Sequence, residues 1–183
     1  GEVLARQPLP YDPALNVPQV LDLSVETGCL SRAGLPHGVV LRESRGDTQG
    51  GGHSLWAYNG DLRLIWRRSV QPPYGHGNAV HLCDLNGDGL SEVLAGGNLL
   101  GSDGRLLWRH DRGAELSQMS GAHHYDAALA GRFADDPEVD PIAFLLAGSA
   151  GVYVVDARTG ATRSVHRVGH AQWGTVCKVR DDL

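Results

Sequence analysis

Asp84-Leu85-Asn86-Gly87-Asp88-Gly89-Leu90-Ser91-Glu92 is the stretch whose reading decides the fold. Asp84, Asn86 and Asp88 alternate, Gly89 permits a sharp turn, and Glu92 closes the loop. A hard cation takes about six to eight oxygens at short range, and alternate side chains plus the Leu90 carbonyl supply most of them. The familiar helix-flanked loop of this type is longer. Here Val80-His-Leu-Cys83 precedes the loop and Val93-Leu-Ala95 follows it, short apolar runs bounded by Gly that read as strands. Two readings are open. One is a compressed Ca2+ loop joining two strands, with Asp84, Asn86, Asp88, Leu90 and Glu92 as ligands. The other is a metal-free hairpin turn of the Asn-Gly or Asp-Gly kind. Three oxygen side chains at fixed spacing, closed by Glu92, favour the first.

A repeat surrounds the loop. Gly75-His76-Gly-Asn78-Ala-Val-His-Leu-Cys83-Asp84, His123-His124-Tyr125-Asp126-Ala-Ala-Leu-Ala-Gly131-Arg132 and Gly169-His170-Ala-Gln172-Trp173-Gly-Thr-Val-Cys177-Lys178 align without gaps. Each has a His, a carboxamide or carboxylate two residues later, then an apolar strand. The copies lie about 46 to 48 residues apart, close to one four-stranded propeller blade. Second strands are expected at Val39-Val-Leu-Arg42, Val93-Leu-Ala95 and Ile142 to Ala147. Third strands are expected at Ser54 to Tyr58, Leu99-Leu100 and Val152 to Val155. Turns and fourth strands follow over Asn59 to Trp66, Ser102 to Trp108 and Ala157 to Val165. The fold expected is all-β: a partial β-propeller of about three four-stranded antiparallel blades, with single strands at each end. The boundaries are 1–7 for the last strand of a preceding blade, 16–69, 75–110 and 123–168 for the blades, and 170–183 for the first strand of a further blade. A ring of this kind needs about four to eight blades to close, so the chain is expected to be part of a longer protein that supplies the missing ones, with assembly of separate chains into a ring as the alternative.

Composition agrees with a turn-rich β-protein. Glycine is abundant, at 25 of 183 residues, and helical periodicity is scarce. The net charge of −5 and a single Lys, at 178, argue against a nucleic-acid partner. No apolar run is long enough to form a membrane-spanning helix. Cys29, Cys83 and Cys177 read as separate thiols, with no disulfide framework.

Charge distinguishes the copies. The positions equivalent to Asp84 are Arg132 and Lys178, where a cationic side chain would repel a divalent ion and pair instead with Asp136 or Asp182. The carboxylates of Asp135-Asp136-Pro-Glu138-Val-Asp140 keep a second, distorted metal site open as an alternative. The upstream loop, Cys29 to His37, lacks every carboxylate and should hold no metal. One good site is expected, with a structural role.

His76 with Asn78, His124 with Asp126, and His170 with Gln172 are i, i+2 pairs that share one side of a strand. Inner strands of successive blades surround one channel mouth, so these residues are expected to gather in a polar ring. The imidazoles suit proton transfer, and the ring suits a hydroxyl-rich ligand. The plainer alternative is a set of hydrogen bonds between blades. Trp56, Trp66 and Trp108 read as packing residues. Trp173 and Tyr125 could instead offer an apolar face to a sugar ring, with core packing as the competing reading.

These residues resemble known families. The Asp84–Glu92 loop followed by Val-Leu-Ala-Gly-Gly97 is similar to the repeats of FG-GAP/VCBS-type β-propellers, found in integrin heads and many bacterial surface proteins. Gly75-His-Gly-Asn-Ala-Val-His-Leu82, Ala147 to Gly160 and Gly169-His-Ala-Gln172 resemble blades of rhamnogalacturonan lyases of polysaccharide lyase family 11. The resemblance covers roughly residues 36 to 182. It implies a calcium-rich propeller, a polysaccharide ligand, pectin-backbone cleavage by β-elimination, and an extracellular or cell-envelope setting. No catalytic motif of that family matches residue by residue. His76, His124 and His170 are the only base candidates, and a non-catalytic propeller for glycan or protein interaction is the alternative.

Overall fold

Strands here are short because glycines interrupt the apolar runs every few residues, and each interruption reverses the chain. The computed structural model describes residues 6, 22–32, 37–44, 53–70, 74–75, 80–110, 124–133, 139–148 and 150–175. Three antiparallel sheets of four strands appear in chain order. The first contains β1 (Asp22–Gly28), β2 (Gly38–Ser44), β3 (His53–Tyr58) and β4 (Leu64–Val70). A two-residue strand, β5 (Tyr74–Gly75), precedes the second sheet of β6 (Val80–Cys83), β7 (Glu92–Ala95), β8 (Asn98–Leu100) and β9 (Leu106–Arg109). Likewise β10 (His124–Tyr125) precedes the third sheet, of β11 (Ala127–Gly131), β12 (Ile142–Leu146), β13 (Val152–Asp156) and β14 (Thr162–His166). β5 and β10 pair in parallel, His124 opposite Tyr74 and Tyr125 opposite Gly75. First strands neighbour one another, β1 against β6 and β6 against β11. That is the arrangement of consecutive propeller blades around an axis. No helix occurs among the described residues. The expected single strands at 1–7 and 170–183 lie largely outside the described residues.

The middle blade packs against a neighbour on each face, and strand alternation decides which neighbour each side chain meets. Val93 and Ala95 join Val40, Leu55 and Trp66 of the first blade in one cluster. Leu94, between them, joins Tyr125, Leu145 and Tyr153 of the third blade in another. All four residues of β7 are buried as a result.

The outer strands add a repeated lock between blades. Trp66 of β4 donates its indole N–H to the Ser102 carbonyl at 2.7 Å, in the turn between β8 and β9 of the next blade. Its ring lies on Gly104, where an added Cβ would sit 2.7 Å from the indole. Trp108 of β9 repeats the device one blade on, with its N–H to the Ala157 carbonyl at 2.8 Å and its ring on Gly160. Gly104 and Gly160 both have positive φ, 77° and 74°, so glycine answers the turn and the close approach at once. The equivalent turn position of the first blade is Leu62, at φ 59°. Equivalent register on the third blade places Ser164, opposite Val154, where Ala57 faces Trp66 and Leu99 faces Trp108. Trp56 is buried within its own blade beneath Arg67, whose guanidinium lies 5.4 Å from the ring centroid.

The turn after β13 is held by one carboxylate. Asp156 Oδ1 accepts the N–H groups of Arg158 and Thr159, each at 3.0 Å, and the Thr159 hydroxyl at 3.1 Å. Arg163 donates to Oδ2 and also to Asp140, which Arg158 engages as well. Burial alone would push the Asp156 carboxyl up, but the Arg163 and Thr159 bonds outweigh it and hold it below its ordinary value. Asp140 is thus occupied by two guanidiniums. Asp135, Asp136 and Glu138, the rest of the alternative metal site, lie outside the described residues.

Two outcomes are expected. Gly160→Ala should lower unfolding stability by about 2 kcal/mol or more, through the Cβ–indole clash and the positive φ. A urea midpoint equal to that of the unmodified chain would show that the indole contact does not set stability. A depressed carboxyl contributes stability at neutral pH that is lost as pH falls from its unfolded value through the lower folded one. Asp156→Asn should therefore destabilise at pH 7 and flatten the acid limb below about pH 4. Parallel acid limbs for the two proteins would contradict this.

Candidate functional site

Two clusters hold the residues of interest. The first is the 84–92 loop, built from side-chain oxygens that accept the loop's own N–H groups. Asp84 takes Gly87 N–H at 2.7 Å on one oxygen and Gly89 N–H at 2.9 Å on the other. Asn86 Oδ1 takes Asp88 N–H at 2.8 Å, and Asp88 Oδ1 takes Leu90 N–H at 2.7 Å. Gly87 and Gly89, with φ of 80° and 84°, allow the chain to turn about these acceptors. Glu92 closes the loop from the buried side, its carboxylate accepting Leu85 N–H at 2.8 Å and the Asn86 amide at 2.9 Å. Burial pushes the Glu92 carboxyl above the usual carboxylate range, and the charges of Asp88 and Asp84 add to it, against the Leu85 N–H bond. Neighbouring Cys83 is pushed up as well, by burial and by Asp84 and Glu92. Cys29 and Cys83 are both free thiols, and Cys177 lies outside the described residues.

The loop is clamped to both neighbouring blades. Ser91 N–H donates to the Cys29 carbonyl at 2.6 Å, and Cys29 N–H returns a bond to Ser91 Oγ at 3.2 Å. Arg32 donates to the Asp88 carbonyl at 2.7 Å, and Arg132 to the Leu85 carbonyl at 3.4 Å. Arg132 thus reaches across to the first loop. Asp136 and Asp182, its expected pairing partners and those of Lys178, lie outside the described residues, as does Lys178. Among the described residues no three His, Cys, Asp or Glu side chains converge closely enough to enclose an ion as they stand. The donor chemistry nonetheless fits a hard cation. All the candidate donors are oxygens, and the carboxylates of Asp84, Asp88 and Glu92 gathered in one loop are charges that a divalent ion would offset.

The second cluster lies where β10 enters β11. Asp126 is buried, its N–H bound to the Leu146 carbonyl at 2.8 Å. After β14 the chain returns to the same place. Ala171 forms a bridge to Gly148, its N–H on the Gly148 carbonyl at 3.0 Å. That bridge sets His170 against the carboxylate, Nε2 3.3 Å from Asp126 Oδ2. Gly148 leaves the space: a Cβ there would stand 3.3 Å from the same oxygen. Asp126 is almost wholly enclosed, whereas more than half of the His170 side chain meets solvent. A carboxylate in this position orients an imidazole. Nδ1 of His170 has no partner among the described residues. Gln172 is exposed, and Trp173, at 72%, is the most exposed of the large apolar side chains among the described residues.

Behind this pair runs a buried hydrogen-bonded chain. His110 joins the Tyr125 hydroxyl through Nδ1 at 2.7 Å and the Thr162 hydroxyl through Nε2 at 2.9 Å. Tyr125 is fully buried, so its ring supports the site from within and offers no face to a sugar, contrary to the expectation from sequence. His170 meets Asp126 of the preceding repeat, in a contact between repeats at 3.3 Å. The His124 side chain, with His76 and Asn78, lies outside the described residues. His110 was missed: it stands two residues after Trp108, where the other blades carry Arg68 and His166, and nothing in that pattern marks it as buried. His81 follows the plainer alternative, its Nε2 bonding the Ala130 carbonyl of the next blade at 3.0 Å.

No protein-family model matches the sequence, and no curated protein matches it. Two solved structures share the fold. One is rhamnogalacturonan lyase YesW, at TM-score 0.57 and 18% identity over 81% of this chain and 25% of that one. The other is the exotype rhamnogalacturonan lyase YesX, at TM-score 0.56 and 21% identity over 81% of this chain and 24% of that one. The chain spans about a quarter of the length of each.

Proposed function

We propose that this chain is a calcium-binding propeller segment of a larger polysaccharide-binding or polysaccharide-cleaving protein, similar to a rhamnogalacturonan lyase. The observation that carries the reading is an exposed imidazole, His170, set 3.3 Å from the buried Asp126 carboxylate, with the exposed Gln172 amide and Trp173 indole following it in the chain. The shared fold with two such lyases supports it. An aromatic face beside amide and imidazole groups is the chemistry that recognises a sugar. Asp126 holds His170 with Nε2 inward, which leaves Nδ1 to accept a proton. In a β-elimination that proton comes from the carbon α to a uronate carboxylate; its C–H electrons form the new double bond as the C–O bond to the next sugar breaks. Asp84, Asn86, Asp88, the Leu90 carbonyl and Glu92 would hold Ca2+, whose charge offsets the carboxylate crowding of the loop when bound. In the non-catalytic alternative the same surface binds a glycan or a protein and no bond breaks.

Calorimetric titration with Ca2+ should give one site, lost in Asp88→Ala. At a hundredfold excess over the dissociation constant, the ion should stabilise the chain by about 2.7 kcal/mol. Heat and stabilisation that survive Asp88→Ala would place the ion elsewhere.

Pectic polysaccharide should bind, and Trp173→Ala should weaken binding roughly tenfold. On the lyase reading, the full-length protein given rhamnogalacturonan develops the absorbance of an unsaturated product. His170→Gln should abolish that signal while binding persists. Binding without any absorbance selects the non-catalytic alternative, and neither binding nor absorbance removes the polysaccharide reading.

A further inference from the structure

A second concave feature lies on the seam between the first two blades, beside the Trp66 lock. It is an open groove of about 530 Å³, bordered by Arg68 and Ser69 of β4 and by Asn98, Asp103, Arg105 and Leu106 around β8 and β9. That volume falls within the range of small-ligand sites. Arg68 is held in place: its Nε donates to the Gly104 carbonyl at 3.0 Å and its Nη1 to the Arg67 carbonyl at 3.0 Å. Its Nη2 has no partner among the described residues. The Arg105 guanidinium likewise has none, although its backbone N–H is bound to Asp103 Oδ1 at 2.8 Å. Leu106 is 49% exposed and gives the groove an apolar wall, while Ser69 and Asp103 bring groups that bond hydroxyls. Two guanidiniums in one groove stand out on a chain of net charge −5.

We infer that this groove is a second carbohydrate subsite, selective for a sugar that carries a carboxylate. Guanidinium recognises carboxylate through charge-assisted hydrogen bonds, the leucine meets the C–H face of the ring, and the small polar groups take its hydroxyls. The inference deepens the polysaccharide reading above, on which the choice of a sugar as occupant rests. The Trp66 lock fixes the groove, since the turn that carries Asp103 and Arg105 is the one the indole binds.

The test is titration of the 15N-labelled chain with trigalacturonate, followed by NMR at the Arg68 and Arg105 side chains and the Ser69 and Leu106 amides. Saturating shifts are expected up to about 10 mM ligand, weaker at high salt and absent with neutral galactotriose. Arg105→Gln leaves every described hydrogen bond of that residue in place and should weaken binding about tenfold. Silence at the groove while Trp173 and His170 respond overturns this inference and leaves the main site standing. Response at the groove with silence at Trp173 supports it and counts against the main site. Equal shifts from inorganic sulfate would reduce the groove to an anion site without sugar selection, which also overturns the assignment.

Discussion

The structure depends on an indole that needs a glycine from another blade. A four-stranded sheet of this size is too small to cover its own faces, so each blade is stable only against its neighbours. Apolar side chains supply most of that contact without specifying the angle between sheets. The Trp66–Gly104 and Trp108–Gly160 contacts do specify it. A ring laid flat on a Cα, with its N–H directed at a carbonyl of the same turn, fixes distance and orientation together. What the two inner-strand clusters gain in burial, the outer-strand indoles convert into a defined seam.

That seam explains why candidate sites form where they do. Residues 126 and 170 are distant in sequence and approach because the chain beyond β14 returns to form the Gly148–Ala171 bridge. The groove of Arg68 and Arg105 is shaped by the turn that Trp66 holds. The 84–92 loop is joined to its neighbours through Ser91, Arg32 and Arg132. In each place the backbone geometry is set by packing first, and the polar residues occupy what the packing leaves.

Much of the fold was legible because propeller blades write themselves in local terms. Asn-Gly and Asp-Gly turns and short alternating runs gave the second, third and fourth strands of each blade. β1 is less obvious: Asp22-Leu-Ser-Val-Glu-Thr-Gly28 lacks the His-led signature of the later copies. The tryptophans were readable as packing residues, but the turn that each one meets lies in another repeat, and no local pattern names it. The same limit hid the site. Spacing of two along a strand put His170 and Gln172 on one side, but it could not name Asp126, which the Gly148–Ala171 bridge brings to 3.3 Å from His170. Tyr125 stands near the place in its repeat that Trp173 holds in the next, yet it is buried and its hydroxyl is bound by His110, whose burial no periodicity announces.

The indole seam also bears on the order in which the chain matures. Trp66 must wait for Ser102, 36 residues further on, and Trp108 for Ala157, 49 residues further on. At a synthesis rate of about 5–20 residues per second, each of the first two blades would show a bare indole for roughly 2 to 10 s before its partner turn exists. Assembly is therefore vectorial. Each blade is finished by the one made after it, and a ribosomal pause just before residue 102 or 157 would prolong the interval in which the chain is most prone to wrong association.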